Sequence, residues 1–369
     1  MSTVYFVSSR IRGQKGLVDK LGDLLNAAGM DFIRPRDLVG IKMSFGERGN
    51  TAFLRPQFVR KVVDAVKAQG GKPFLTDTNT LYHGQRTNSV DHLTLAVEHG
   101  FGLAQVGAPI LMADGLRSES VAEEEVNLRH FQTVKFGQLV REMDALISLA
   151  HFKGHLVSGF GGAIKNIGMG LGSRAMKQRM HSGSVRPEFT QIELCTGCGR
   201  CVAVCREGAV RLEDGRARFL PDACVGCADC IPACPEQCLK ISWTEKPEVL
   251  GEKMVETCYG IVRRFAGRCL YVNFLLDVTP DCDCFPWCDN PIVPNVGILA
   301  STDMIAVDQA SADLLNAQES IPNSQIGRRG QADDKLAALH PEIDWRAHLR
   351  YGEEIGLGSC TYELVELDS

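Results

Sequence analysis

The 369-residue sequence lacks several features that would assign it to a common class of protein. No uninterrupted apolar run approaches the length that spans a membrane. Neither charge sign dominates, because 40 Lys and Arg stand against 45 Asp and Glu, and a net charge of −5 offers no basic footprint for nucleic acid. The first ten residues lack the charged start and long apolar core of a signal peptide. These absences predict a cytoplasmic protein that binds neither nucleic acid nor membrane.

Two common nucleotide-binding motifs are also missing. The pair Lys165-Asn166 has no glycine before the lysine and no Ser or Thr after it, as a P-loop requires. The glycines at 168, 170 and 172 have the wrong third spacing for a dinucleotide fingerprint, and no predicted strand directly precedes them. Any anion site in this region must therefore be of another kind.

Cysteine, by contrast, is abundant, with 15 residues in the chain. Eight of them form two runs of the spacing C-x2-C-x2-C-x3-C, at 195–205 and 224–234. In two-cluster ferredoxins the fourth cysteine of each run ligates the cluster of the other run. The spacing predicts one [4Fe–4S] cluster on Cys195, Cys198, Cys201 and Cys234, and a second on Cys224, Cys227, Cys230 and Cys205. Paired zinc knuckles are the alternative. Thiols in this number indicate a reducing cytoplasm, plausibly of an anaerobic cell.

Outside these runs the chain alternates strand and helix patterns, which is typical of an α/β domain with a largely parallel sheet. Strands are predicted at 4–8, 38–43, 74–76, 145–150, 270–276 and 296–300. Helices are predicted at 15–28, 56–69, 90–98, 249–265 and 305–317. The pattern stops before the cysteine runs and resumes after them. We therefore predict a discontinuous α/β domain (1–187 and 244–369) with flanking helices and an inserted α+β ferredoxin domain of the bacterial two-cluster type (188–243).

Polar and ionisable residues follow most of the predicted strands. They include Asp77 after the third strand, His151 after the fourth and Asp303 after the last. In open α/β sheets the ligand crevice lies beyond the carboxyl ends of the strands, so these residues could share a site. Strand ends are also polar because they are surface loops, and for Asp77 and Asp303 both interpretations stay open.

The segment from His151 to Gly172 is the strongest candidate for a substrate site. Seven glycines lie between Gly154 and Gly172, and lysines among glycines can form an anion-binding loop from converging backbone N–H groups. We predict Lys153, His155 and Lys165 as catalytic residues that hold a small anionic substrate together with Asn166. A close-packed loop beneath the ferredoxin is the alternative.

A second cysteine cluster occurs at 281–289, in the sequence D-C-D-C-F-P-W-C-D. Cys282 and Cys284 are close enough to chelate one metal, and Cys288 could join them. Soft thiolates select iron–sulfur clusters or zinc over hard cations, so a third cluster or a metal ion is expected here. Cys238, Cys258 and Cys269 occupy apolar positions instead and are expected to be buried and unligated.

Four blocks of the chain resemble one known family. They are residues 151–172, the twin cluster motifs, residues 277–284 (D-V-T-P-D-C-D-C) and residues 291–314 (P-I-V-P-N-V-G-I-L-A-S-T-D-M-I-A-V-D-Q-A-S-A-D-L). The chain resembles the uncharacterised iron–sulfur centre proteins of bacteria and archaea, in which a ferredoxin sits inside a domain of unknown function. The resemblance implies two [4Fe–4S] clusters and an α/β host domain, without a reaction.

The sequence departs from these relatives at two places. Cys205 is followed by Arg206 where ferredoxins have proline, which adds a cation near one cluster. The relatives carry the Cys282-x-Cys284 pair but no fixed Cys288, which weakens Cys288 as a ligand.

Two functions remain. One is an iron–sulfur oxidoreductase whose clusters pass electrons to a small anionic substrate beside the Cys282 pair. The other is an electron carrier or assembly partner with no substrate of its own. Both imply a redox partner protein, and a polar cavity between Cys282 and the glycine segment would favour the first.

Overall fold

The computed structural model describes residues 1–11, 13–183, 187–241 and 243–367. The strands are β1 (Ser2–Ser8), β2 (Leu38–Lys42), β3 (Lys72–Thr76), β4 (Val121–Glu125), β5 (Thr133–Gly137), β6 (Ala145–His151), β7 (Lys153–His155), β8 (Gly159–Gly161), β9 (Glu188–Phe189), β10 (Val210–Glu213), β11 (Arg216–Phe219), β12 (Leu239–Lys240), β13 (Cys269–Leu275), β14 (Gly297–Ser301) and β15 (Tyr362–Glu366).

The α-helices are α1 (Leu17–Ala28), α2 (Pro56–Ala68), α3 (Ser89–Ala96), α4 (Leu103–Val106), α5 (Ala163–Leu171), α6 (Arg174–His181), α7 (Arg200–Val204), α8 (Cys230–Ala233), α9 (Pro247–Val262), α10 (Met304–Asn316), α11 (Lys335–Leu339) and α12 (Ala347–Glu354). Short single turns extend α3 and α9 to Phe101 and Phe265. No helix in the described ranges is long and apolar enough to cross a membrane.

The main sheet has seven strands in the order β15-β1-β14-β13-β6-β2-β3. β14 runs antiparallel to both of its neighbours, and the other adjacent pairs are parallel. The carboxyl ends of β13, β6, β2 and β3 therefore meet at one edge, called here the carboxyl edge. β14 ends at the opposite edge. This confirms the predicted α/β fold with a largely parallel sheet and flanking helices.

Apolar side chains cover both faces of this sheet. Every residue of β6 and β13 is buried, as expected for central strands that are covered on both sides. One face packs on α1 and α2 through residues such as Leu24 and Val62. The other face packs on α5, α9 and α10 through residues such as Ile167, Met254 and Ile305. The two layers hold the carboxyl edge rigidly in place.

The six predicted strands and five predicted helices are all present, with ends that differ by up to three residues. The tail beyond Pro322 showed little pattern, yet it contains α11, α12 and the edge strand β15. Strand β15 pairs in parallel with β1, from Ser2–Tyr362 to Phe6–Glu366. Its side chains are half-buried or exposed, so the apolar signal that reveals central strands is absent from its sequence.

The glycine-rich segment is mostly regular structure, and its role in anion binding stays a prediction. β7 and β8 form a small hairpin, and α5 follows directly. Gly168 lies where a Cβ would stand 2.5 Å from the Met254 carbonyl oxygen of α9, so only glycine permits this approach of the two helices. The close-packed alternative describes the segment better.

Residues 187–241, called here the cysteine-rich segment, have a small core of their own. β9 pairs with β12 near the two ends of the segment, and β10 and β11 form a hairpin between them. The core contains four cysteines, Cys201, Cys230, Cys234 and Cys238, together with Leu81 from the rest of the chain. The domain boundaries given above stay a prediction.

Candidate functional site

A cavity of about 840 Å³ opens at the carboxyl edge of the sheet. Residues that follow β2, β3, β6 and β13 line it, together with α5, α6, α9 and the end of the cysteine-rich segment. Its polar lining residues are Lys42, Glu47, Asp77, Arg86, Lys153, His155, Lys165, Asn166, Lys177, His181, Cys282, Asp283 and Cys284. We call it the central cavity. It lies where the topology of an α/β sheet places a ligand crevice.

Asp77 holds together one side of the central cavity. Its carboxylate lies 3.1 Å from Lys42 Nζ, 3.9 Å from Arg86 Nη1 and 3.8 Å from His92 Nε2. Burial raises the pKa of Asp77, but the charges of Lys42, His92 and Arg86 outweigh it, and the pKa ends below its usual value. Burial lowers the pKa of His92 to about 3, so this ring is neutral. Asp77 thus belongs to the site, as one of its two interpretations predicted.

Asp303 does not belong to the central cavity. It follows β14, which runs in the opposite direction, and it lies at the other edge of the sheet. Its Oδ1 accepts hydrogen bonds from the N–H groups of Ile305 and Ala306, which makes it the N-cap of α10. The structural interpretation of Asp303 is the correct one, and the reversal of β14 is the reason.

Lys153 forms a second buried pair in the cavity. Its Nζ lies 3.0 Å from Asp283 Oδ1 and donates to the carbonyl of His151 at 2.7 Å. His151 Nδ1 is 3.8 Å from the other oxygen of Asp283. Burial raises the pKa of Asp283, but the charges of Lys153 and Lys165 outweigh this effect and hold the pKa well below the usual range. Asp283 therefore keeps its charge and fixes the loop that carries the neighbouring cysteines.

Lys165 and Cys282 form a third pair. Lys165 Nζ donates to Cys282 Sγ at 3.0 Å, and the backbone N–H of Cys284 reaches the same sulfur at 3.3 Å. Burial raises the pKa of Cys282, but the hydrogen bond with Cys284 and the charge of Lys165 reverse this and lower it to about 5. The hydrogen bond with Cys282 and burial raise the pKa of Cys284 well above 9. The pair therefore carries one negative charge at neutral pH, next to a lysine.

His155 completes a possible metal group. One ring nitrogen of His155 and the Sγ atoms of Cys282 and Cys284 all lie within 4.8 Å of one another. Nδ1 of His155, however, accepts the backbone N–H groups of Val157 at 3.2 Å and Ser158 at 3.1 Å. A neutral ring in this state carries its proton on Nε2, which would have to be lost before Nε2 could bind a metal. The arrangement suits two sulfur ligands with His155 as a hydrogen-bond donor beside them.

Cys288 lies outside this group. Its Sγ is 3.2 Å from Thr51 Oγ1 on the rim of the neighbouring loop. Cys282 and Cys284 thus form the possible metal site with His155, and Cys288 is not part of it. Cys238, Cys258 and Cys269 are buried, as expected, and Cys258 Sγ donates to the carbonyl of Ile164 at 3.2 Å.

The N-terminus of α5 is not available to an anion. The carboxylate of Asp308, on α10, accepts the N–H of Ala163 at 2.7 Å and that of Ile164 at 2.9 Å. Asn273 also donates to it at 2.7 Å. A buried aspartate therefore takes the place that the anion-binding loop would have offered to a substrate. Anion binding in the cavity must depend on side chains instead.

Three lining residues were not predicted as part of a site. Lys42 ends β2, and its Nζ donates to Asn166 Oδ1 at 2.9 Å. Lys177 donates to the carbonyls of Asn79 and Gly172, and burial lowers its pKa to about 8. Burial lowers the pKa of His181 to about 3. A lysine that ends an otherwise apolar strand was the available signal for Lys42, because a buried charge needs a partner.

The central cavity also has apolar lining residues. They are Met169 of α5, Ile241 at the end of the cysteine-rich segment, Trp243 just beyond it, and Leu250 and Met254 of α9, among others. A bound molecule would therefore meet both charged groups and apolar side chains.

Leu81 and Tyr82 connect this cavity with the cysteine-rich segment. Both residues line the cavity, and both pack on the core that contains Cys201, Cys230 and Cys234. Arg86 Nη2 donates to the hydroxyl of Tyr82 at 2.5 Å. Burial raises the pKa of Tyr82 well above its usual value, so the phenol stays neutral.

The eight cysteines of the twin motifs surround two further cavities. Cys195, Cys198, Cys201 and Cys234 line the first, and Cys205, Cys224, Cys227 and Cys230 line the second. Backbone N–H groups point at two of the sulfurs, from Ala209 to Cys205 at 3.2 Å and from Ala217 to Cys195 at 3.5 Å. Burial and the neighbouring thiols raise the pKa of Cys230, so deprotonation of this set calls for a compensating cation.

The spacing of these sulfurs differs from that of a zinc site. Tetrahedral zinc with bonds of 2.3 Å would place its sulfurs roughly 3.8 Å apart. In the described part of the chain, the ligand atoms of His155, Cys282 and Cys284 lie within 4.8 Å of one another. No three sulfurs of the eight motif cysteines, all of which are in the described ranges, lie that close together.

These features define an α/β protein with a charged, thiol-bearing cavity at the carboxyl edge of its sheet and a separate cysteine-rich unit beside it. The family model described as "Domain of unknown function (DUF362)" matches residues 39–313, most of the chain. The chain therefore belongs to this family. No curated protein matches it significantly.

Two solved structures show distant similarity. The lactate racemase apoprotein from Thermoanaerobacterium thermosaccharolyticum is 13% identical with a TM-score of 0.37, over 74% of this chain and 51% of that one. A Thermotoga maritima protein from a structural genomics consortium is 9% identical with a TM-score of 0.38, over 70% and 49%. The chain thus spans about half the length of each.

Proposed function

We propose that this chain is an iron–sulfur redox protein that binds two [4Fe–4S] clusters and passes electrons to a substrate in the central cavity. The carrying observation is that the eight motif cysteines surround two cavities in the crossed combination that the sequence predicts. Each set contains the first three cysteines of one run and the last cysteine of the other. Clusters held there would supply single electrons at low potential.

The local backbone also suits cluster binding. Gly197, Gly199 and Gly226, which lie within the runs, have φ angles of 67°, 73° and 71°, a conformation that favours glycine and turns the chain between ligands. The N–H groups of Ala209 and Ala217 would donate to ligating sulfurs, which is one of the ways a protein sets cluster potential. Zinc knuckles explain this crossed combination less well. The two sulfurs of a knuckle come from one short loop, whereas each set here takes three cysteines from one run and the fourth from the other.

The central cavity favours an enzyme over a simple electron carrier. A carrier has no use for a cavity of about 840 Å³ with several buried ion pairs, which are costly to bury unless each charge is matched. Its position against Leu81 and Tyr82, which also pack on the cysteine core, would give a short route for electrons. The second function, an electron carrier or assembly partner, lacks an observation that favours it.

Within the cavity, the chain's own residues have separate tasks. Lys165 would hold an anionic group of the substrate, since its Nζ faces the cavity beside Cys282. Lys153 is fixed by Asp283 and would position the thiol loop. His155, protonated on Nε2, would donate a hydrogen bond. The apolar lining around Met254 suits a substrate with a carbon body and one anionic end. A metal or third cluster on Cys282 and Cys284 would polarise a substrate oxygen.

Metal analysis tests this function directly. Anaerobically purified protein is expected to contain about eight irons and eight sulfides per chain, as two [4Fe–4S] clusters require. Zinc in place of iron would contradict the proposal.

The crossed arrangement has its own test. Cys234→Ser is expected to damage the cluster of the first run, and Cys205→Ser that of the second, as seen in the EPR spectra of the reduced protein. Cys269→Ala is the control, because Cys269 is a buried cysteine that lies outside both motifs and lines neither of their cavities. Loss of the second-run signal in Cys234→Ser would show uncrossed ligation instead.

A further inference from the structure

A groove with four arginines lies between the cysteine-rich segment and the host. Its volume is about 830 Å³. Arg117 and Arg174 come from the host, and Arg200 and Arg206 from the cysteine-rich segment. The remaining lining residues are Thr87, Asn88, Val90, Leu116, Ala203, Val204, Asp229, Pro232 and Ala233. We call it the arginine groove. It is distinct from the central cavity and shares no lining residue with it.

Most of the positive charge in the arginine groove is uncompensated. Asp229 is the one acid that lines it, and it is paired with Arg174 at 2.8 Å. In the described residues no carboxylate lies within 4.0 Å of the guanidinium nitrogens of Arg117, Arg200 or Arg206, all of which are exposed. The nearby Glu119 accepts the backbone N–H groups of Leu116 and Arg117. The groove is therefore a cationic surface that would favour the binding of an acidic molecule.

Its apolar residues indicate a protein rather than a small ion. The side chains of Val90 and Leu116 are 60% and 51% exposed, and both lie in the groove among the arginines. Exposed apolar side chains that are rimmed by charge are typical of protein interaction sites. A phosphate or other small anion would bind to the guanidinium groups and leave this apolar surface uncovered.

The arginine groove borders the second cysteine set. Val204, Arg206 and Asp229 line both the groove and the cavity that Cys205, Cys224, Cys227 and Cys230 surround. Arg206 follows Cys205 directly, at the position where ferredoxins have proline. A partner seated in the groove would thus lie one residue layer away from the proposed second cluster.

We infer that the arginine groove is the docking site for a small acidic electron-carrier protein, which delivers electrons to the second cysteine set. This inference rests on the proposed function. The transfer moves one electron from the reduced carrier to the cluster that the second set would hold, and no bond forms or breaks. Encounters of this kind are small in area and are steered by charge, so the three exposed arginines beside Val90 and Leu116 are sufficient.

Binding to a defined probe tests the groove. The probe is an oxidised, acidic two-cluster ferredoxin, titrated by calorimetry into the anaerobically purified full chain. We expect measurable binding at low salt that weakens at least tenfold between about 50 and 500 mM salt, because screening acts on exposed charges. The double variant Arg200→Glu, Arg206→Glu is expected to weaken binding at least tenfold.

Two further variants serve as controls. Arg117→Glu lies on the host, away from the cluster ligands, and should also weaken binding without any loss of iron. Arg218→Glu changes an exposed arginine of β11 that is paired with Glu213 and does not line the groove, so its binding should stay within twofold of the wild type. Equal affinities of the wild type, the double variant and Arg117→Glu would overturn the docking site. Competition by inorganic phosphate at micromolar levels would show a small-anion site instead.

Reduction kinetics separate this inference from the proposed function. Dithionite, a small reductant, should reduce the wild type and Arg117→Glu equally, because Arg117 does not line the cavity of the second cysteine set. The reduced ferredoxin should reduce Arg117→Glu more slowly than the wild type. Slow reduction by dithionite in every protein, or absence of iron, would contradict the proposed function. Equal rates with reduced ferredoxin in wild type and groove variants would contradict the groove alone.

Discussion

At the scale of residues, the charges of the central cavity occur as matched pairs. They are Lys42 with Asp77, Arg86 with Glu47, Lys153 with Asp283, and Lys165 with Cys282. The first three pairs are buried, and loss of one member would leave the other charge without compensation, at a cost of about 3–5 kcal/mol. The cavity can therefore hold its charges in fixed positions, which is what recognition of a polar substrate requires.

The thiol pair gives the first prediction. In the double variant Cys282→Ser, Cys284→Ser the metal or third cluster should be lost, because soft sulfur ligands are replaced by hydroxyls. Bound metal is measured against wild type, with the EPR signals of the twin motifs as internal reference. Cys288→Ser is the matched control from the same loop and should keep the metal, since Cys288 lies against Thr51. Equal metal content in wild type and the double variant would eliminate the site.

A buried histidine that does not line the central cavity gives a pH prediction. Burial lowers the pKa of His348 to about 4, although Asp344 opposes this, whereas a histidine in an unfolded chain has a pKa near 6.5. Between these values the unfolded state binds a proton that the native state does not. Stability from His348 is thus complete above about pH 6.5 and is lost as the pH falls toward 4, by about 1.4 kcal/mol per pH unit.

The His348→Gln variant removes this proton uptake. The free energy of unfolding, measured with urea between pH 7 and pH 5, should fall less steeply with pH in the variant than in the wild type. Identical slopes would mean that His348 is already charged in the folded protein.

At the scale of elements, we expect the contact between α5 and α10 to contribute strongly to the stability of the fold. Asp308 of α10 accepts two backbone N–H groups at the start of α5 and one amide from β13. Asp308→Ala would leave Ala163, Ile164 and Asn273 without this acceptor, and we expect a loss of about 2 kcal/mol or more in the free energy of unfolding.

The exposed Asp313 on the same helix provides the comparison. Asp313→Ala should change stability by about 0.5 kcal/mol or less in the same urea titration, as is usual for surface positions. A similar loss in both variants would show that the effect comes from α10 itself and that the contact with α5 contributes little.

The central strands and amphipathic helices could be predicted from sequence because their buried positions carry apolar residues in a regular pattern. β6 and β13 are apolar along their whole length, and α2 carries a valine stripe below Pro56. α5 was missed because its two glycines, Gly168 and Gly170, weaken the helix signal locally. The contact of Gly168 with Met254 that explains one of them depends on the distant α9. Helix–helix contacts of this kind have no local signal.

The site could be predicted in part for the same reason. Lys153, His155, Lys165, Cys282 and Cys284 all line the central cavity, because residues after parallel strands meet at one edge. The rule failed for Asp303, since the direction of β14 follows from sheet pairing that the sequence does not display. Lys177 and His181 were not predicted, because their place in the cavity depends on how α6 packs.

At the scale of the whole molecule, Arg174 ties the cysteine-rich segment to the host. Its guanidinium is buried and lies 2.8 Å from Asp229, which stands between the second and third cysteines of the second motif run. It also donates to the carbonyls of Arg117 at 2.8 Å and Thr87 at 2.7 Å. One side chain therefore joins two host loops to the unit that would carry the clusters, and a single substitution should loosen that join.

Arg174→Met is the last prediction. The apolar variant leaves Asp229 and two carbonyls without their donor, so the cysteine-rich segment should exchange its amide hydrogens faster while the strands of the main sheet keep their protection. In Arg174→Lys the exchange rate should lie between those of the wild type and Arg174→Met. The ammonium keeps the positive charge but lacks the planar set of donors with which the guanidinium reaches several acceptors. Arg179→Met is the matched control, since Arg179 lies on the same helix but packs over Phe131 of the host. Hydrogen exchange with mass spectrometry separates the outcomes. Uniform loss of protection across the chain in Arg174→Met would show that this arginine supports the host fold rather than the join between the two units.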